Sequence, residues 1–102
     1  MIKIEKADTF FKRLRGLIGR NKLPQGCGLM IAPCNSIHML FMKFDIDAIF
    51  IDKNFTIKKI AENVRTWTGI AICIDAWAVI EVSAGEASRL NLSVGQKLEV
   101  EQ

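Results

Sequence analysis

The sequence predicts a single, mainly β domain with one helix near its start, α+β only by content, and three observations carry that prediction. Apolar residues fall in short runs of strand length separated by turn residues, as in "IDAIFID" followed by Lys53-Asn54 and then "FTIKKIA". Two segments alternate with period two: "AWAVIEVSA" sets Ala78, Ile80 and Val82 against Trp77, Val79 and Glu81, and "KLEVE" alternates throughout. Only "DTFFKRLRGLIGR" has helical spacing, with Phe10, Leu14, Leu17 and Ile18 on one face and Lys12, Arg13 and Arg15 largely elsewhere.

In chain order, Ile2 and Ile4 mark a strand before that amphipathic helix. Asp8 or Thr9 can cap the helix, and Gly19 with Asn21 can end it. "LPQGCG" reads as a loop and "LMIA" as a short strand. "IDAIFID", an apolar run with an acidic residue near each end, suits a largely buried strand, and "FTIKKIA" follows a tight connection. "GEASRLNLSVGQ" holds a short second helical turn and then a Gly-bearing turn between the last two strands. No repeat, linker or low-complexity tract interrupts residues 1–102, so one domain is expected.

Composition excludes several classes. Half of the 102 residues are hydrophobic and a quarter charged, the makeup of a globular chain. A membrane-spanning helix needs about 20 consecutive apolar residues, and Lys43, Asp47, Asp52, Asp75 and Glu81 break every apolar run. Lys3, Glu5, Lys6 and Asp8 precede any block resembling a signal peptide, which points to a cytoplasmic protein. Three cysteines, Cys27, Cys34 and Cys73, form no even framework, so free thiols are expected. Their wide spacing with His38 argues against a zinc site, and no metal or cofactor is expected.

The net charge of +3 is unevenly placed, because residues 1–25 hold seven Lys or Arg against Glu5 and Asp8. The helix charges Lys12 and Arg13 are therefore candidates for an anionic partner. Nucleic acid is disfavoured: "RGLIGR" has the Gly-x-x-Gly of a backbone-clamping loop but lies in or at the end of a helix, and the chain has no Tyr for a stacking surface.

The candidate site lies in "PCNSIHMLFMKFDIDAIFID", which contains the only His. His38 with Asp47 or Glu81 is a possible acid-base pair, since a carboxylate raises an imidazole pKa and fixes its tautomer. Ser36 with His38 and Asp47 supplies the parts of a triad, but no Gly-x-Ser-x-Gly elbow presents the serine. Met39, Met42 and Phe41 suit a core. Asp47, if buried, needs donors, and Arg15, Arg20 and Lys43 are the candidates. Glu81, beside Trp77 and Val79 on its strand face, is a candidate for the rim of an apolar groove.

"RLRGLIGRNKLP", "PCNSIHMLFMKFDIDAIFID", "VIEVSAG" and "LNLSVGQKLEV", in that order, resemble the domain of unknown function 192 family of small bacterial and archaeal proteins. Arg15-Gly16-Leu17, Arg20, His38, Met42, Asp47, Glu81, Gly85 and Gly95 carry the likeness, whereas Asp45 and Ser83 stand where the family usually has Pro, and Trp67 to Trp77 is less basic than usual. The resemblance implies a compact β-sandwich or barrel-like fold with a helix near its start. It implies no reaction, and an association of some members with secretion or pilus machinery. The sequence is read as a non-enzymatic domain that binds a small ligand, a peptide or a protein partner through Arg15, Arg20, His38, Met42, Lys43, Asp47 and Glu81. The alternative is a small hydrolase or lyase using His38 with Asp47 or Glu81.

Overall fold

The computed structural model describes residues 2–6, 23, 25–38, 44–66 and 68–101. Among these residues, eight strands and one short helix follow in the order β1 (Ile2–Lys6), β2 (Cys27–Ile31), β3 (Ser36–His38), β4 (Ile46–Ile51), β5 (Ile57–Val64), β6 (Ile70–Ile72), β7 (Ala78–Ser83), α1 (Glu86–Arg89) and β8 (Val100–Glu101). Six of them form one sheet ordered β5-β4-β7-β2-β1-β8, and β3 with β6 forms a separate two-stranded ladder. The predicted mainly β class is observed. The sheet does not close into a barrel: β5 and β8 are its edges, and Thr56 and Lys97, which precede them in the chain, form only an isolated antiparallel bridge. The predicted N-terminal helix, with Lys12, Arg13, Arg15 and Arg20, lies outside the described residues.

Strands β4 and β7 are central, and their sequences say why. Every residue of β4 is buried, as are the first five of β7, because both faces of the sheet are covered and neither face needs polar residues. The period-two pattern of β7 therefore separates one apolar layer from another rather than core from solvent. Ile2, Met30, Ile49, Ile51, Ala78, Ile80, Val82 and Leu98 pack on one face. Leu29, Ile31, Ile46, Ala48, Phe50 and Val79 pack on the other, with Ala71 and Cys73 of the small ladder and its vicinity. Gly28 lets β2 and β7 approach on the first face, since a Cβ there would stand 3.0 Å from side-chain carbons of Ile80 and Val82.

The edge strand β5 is different, with Lys58, Lys59, Glu62 and Asn63 exposed, a composition that discourages pairing with a further strand. It begins later than the pattern "FTIKKIA" suggests. Asp52 Oδ1 accepts the amides of Asn54 (2.8 Å) and Thr56 (3.0 Å), and Phe55 takes a positive φ of 63°, which delays the strand to Ile57. Two strands, β3 and β6, have too few residues for a sequence period to show.

Candidate functional site

The acidic residues of the Pro33 to Asp52 stretch each hold backbone. Asp52 closes the turn just described, and Asp45 Oδ1 accepts the Thr66 amide at 2.8 Å. Asp47 does most. Its side chain is fully buried, and Oδ1 accepts from the Asn63 amide (2.8 Å) while Oδ2 accepts from those of Gly85 and Ala87 (both 3.0 Å). Asn63 sits at a register shift between β4 and β5 with φ 55°, so the carboxylate fastens a bulge whose amide has left the ladder. Gly85, at φ 97°, caps α1 without a side chain of its own, and Asp47 supplies the missing acceptor from another strand. The donors of Asp47 among the described residues are thus backbone amides. Its expected partners Arg15, Arg20 and Lys43, and Met42 with them, lie outside the described residues.

Glu81 has the opposite character. In register it stands between Leu29 of β2 and Ala48 of β4, in the middle of the sheet, and not at a groove rim as its alternation with Trp77 suggested. It is 6% exposed, and no hydrogen bond or ion pair reaches its carboxyl among the described residues. Burial alone pushes its pKa up to about 8, because a charge without donors loses its hydration and gains nothing in return. At neutral pH it holds its proton.

Asp47 and Glu81 do not meet. Asp47 is paired in register with Val82, and Glu81 with Ala48, so adjacent positions on both strands send the two carboxyls to opposite faces of the sheet. The β3–β6 ladder lies on the Glu81 side, where Ile37 and Ala71 join the cluster of Leu29, Ala48 and Val79. His38 ends β3, opposite Ile70 of β6. The sheet thus puts the strand of His38 over the face of Glu81 and leaves Asp47 behind the sheet. Ser83, two residues along from Glu81, anchors the chain on this face: its hydroxyl donates to the Leu23 carbonyl (2.6 Å) and accepts from the Leu23 amide (3.2 Å).

Two polar groups of the structure, Glu86 and Arg89, were not among the candidates drawn from the sequence. Glu86 of α1 is buried, accepts the Gly26 amide at 2.8 Å, and is bound by the Arg89 guanidinium through Nε and through Nη2 at 2.9 Å. The i, i+3 pair in "GEASR" was the available cue. Arg89 first, then the Gly26 amide, hold the Glu86 carboxyl below its ordinary 4.5 against the opposing effect of burial. A depressed pKa adds stability that is present above about pH 4.5 and disappears as pH falls through the native value. Glu86→Ala should cost about 1–3 kcal/mol at neutral pH, by loss of the charge-assisted bonds, and should reduce the acid sensitivity of urea midpoints below pH 4.5.

Cys27 and Cys73 carry free thiols. Cys73 is buried, and burial followed by its hydrogen bond to Asp75 (Sγ to Oδ1, 3.2 Å) raises its thiol pKa. Less thiolate and less access both slow alkylation. Native protein treated with iodoacetamide should therefore label Cys73 last, with three labels added in denaturant; peptide mass mapping checks the order, and an early label on Cys73 would contradict its burial.

Known proteins resemble this chain along almost its whole length. The family model described as uncharacterized ACR, domain of unknown function 192, matches residues 1–100. A UPF0127 protein of Pyrococcus abyssi is 34% identical over 102 residues, 95% of this chain and 85% of its own length. A UPF0127 protein of Thermococcus sibiricus is 32% identical over 104 residues, 97% of this chain, which spans only 66% of that protein. A crystal structure of a protein of unknown function from Novosphingobium aromaticivorans superposes with a TM-score of 0.84 at 25% identity, covering 94% of this chain and 73% of that one. With a family model spanning residues 1–100 and the motif order intact from the first strand to the last, the chain belongs to the domain of unknown function 192 family.

Proposed function

We propose that the domain is a non-enzymatic binding module whose small ligand is recognised at Glu81. One observation carries the reading: Glu81 is a buried carboxyl in the middle of the sheet with no partner among the described residues. Buried polar groups are normally satisfied, and one that is not costs stability that a ligand donor can return. Asp47 cannot serve the same role without giving up the bulge and the helix cap that it holds. The proposed ligand contact on the face that β3 covers is therefore Glu81, together with His38, Arg15, Arg20, Met42 and Lys43 as proposed from the sequence.

The hydrolase or lyase alternative keeps one specific support. A carboxyl that retains its proton at neutral pH is a competent general acid, and His38 is the partner proposed for it from the sequence. A thermal-shift screen of metabolites against wild type and Glu81→Gln distinguishes the readings. Binding alone predicts compounds that raise the wild-type Tm, lose that effect in the variant, and are recovered unchanged. Recovery of a converted compound from wild type but not from Glu81→Gln would establish the enzyme instead, and ligands that stabilise both proteins equally would remove Glu81 from the site.

A further inference from the structure

We propose that the outer face of β6 and its extension, Ile70, Ile72 and Ile74, docks on an anionic lipid bilayer. These isoleucines are 69%, 49% and 84% exposed, whereas Ala71 and Cys73 between them are buried. Single exposed apolar residues are ordinary, but three at period two form one continuous ridge. The ridge is held in place: Ile72 O accepts from Lys59 Nζ at 2.7 Å, and Ile74 O from Asn35 Nδ2 at 3.3 Å.

Cations line the same strand. Lys59 reaches its middle and Lys58 lies against Asp75 at its far end (3.5 Å), whereas only the backbone of Arg65 meets the segment before β6, at Gly69, its guanidinium lying by Asp45. Asp75 and Asp45 (3.6 Å from Arg65) offset two of these charges, while Lys59 meets only a neutral carbonyl among the described residues. An apolar ridge edged by lysines is the pattern that seats side chains among acyl chains and cations among anionic headgroups. A second copy of the chain fits less well, since a two-fold contact would set these cations against their own copies, and three side chains fall far short of the roughly 20 residues a side of a stable interface.

The test is co-sedimentation of the full chain with vesicles of phosphatidylcholine alone or of equimolar phosphatidylcholine and phosphatidylglycerol. Binding is expected to the anionic vesicles, to weaken with salt, and to fall about tenfold in Ile74→Ser, the loss expected for one large aliphatic side chain. Ile70→Ser should act in the same way, which protects the test against misfolding of a single variant. Lys59→Glu should lower binding to anionic vesicles, and Val94→Ser, which alters an exposed residue elsewhere (63%), should leave it intact. Absence of wild-type binding, or equal binding by the isoleucine variants, overturns the proposal. So does a dimer seen by light scattering that Ile74→Ser dissolves, because a second copy would then occupy the ridge.

Discussion

Asp47→Ala should remove about 3–5 kcal/mol of stability, since each buried amide left without an acceptor costs about 1–3 kcal/mol. Three backbone amides, from Asn63, Gly85 and Ala87, lose their acceptor at once. None can turn to another acceptor without giving up the bulge or the first turn of α1. Against a total of about 5–15 kcal/mol for a domain of this size, the variant should be marginal at best. Asp47→Asn should recover only part of the loss, because its amide group offers an acceptor on one side and hydrogens on the other. Urea denaturation of the two variants beside Asp52→Ala, whose acceptor serves an exposed turn, measures the difference. Losses near 1 kcal/mol at both Asp47 and Asp52 would mean that water reaches the amides around Asp47.

Glu81 should make the native protein less stable as the solution becomes more alkaline. Its carboxyl has an ordinary pKa of 4.5 in the unfolded chain and about 8 in the native one. Between those values the unfolded state has lost the proton and the native state keeps it, so the unfolded state binds fewer protons and unfolding becomes easier with each rise in pH. Above about 8 both states are ionised and the loss is complete. At about 1.4 kcal/mol per pH unit the whole change is on the order of 5 kcal/mol. Glu81→Gln cannot ionise, so its stability should stay flat where the wild type declines, and the variant should be the more stable protein at pH 8. The difference between the two urea-midpoint profiles isolates this one group from every other titration. Parallel profiles would show that the carboxyl is solvated in the native state.

Asp47 and Glu81 lie on opposite faces of the sheet, whereas in the sequence either one could serve His38. Both are acids inside apolar strands, and a sequence period assigns each to one face of its own strand without saying how the two strands are aligned. The register Asp47 with Val82, and Ala48 with Glu81, is what sends them to opposite sides. Donors are equally invisible: Asn63, Gly85 and Ala87 lie 16, 38 and 40 residues from Asp47, and a backbone amide carries no residue-type signature.

Much was nevertheless determined by the sequence alone. Five apolar or alternating segments became strands of the main sheet, and of the sixth, "KLEVE", only Val100–Glu101 did, because side-chain period and turn residues are local properties that burial then selects. The free thiols of Cys27 and Cys73 and the second helical turn in "GEASR" also follow from composition and local pattern. The tertiary structure decided the rest. It turned β4 and β7 into strands covered on both faces, left the sheet open, and formed the short β3–β6 ladder that each strand of three residues could not announce. It also satisfied Asp47 and isolated Glu81, since the partners of a buried carboxyl are set by which distant backbone groups the fold brings within about 3 Å, and that depends on alignment between strands rather than on the residues of either one.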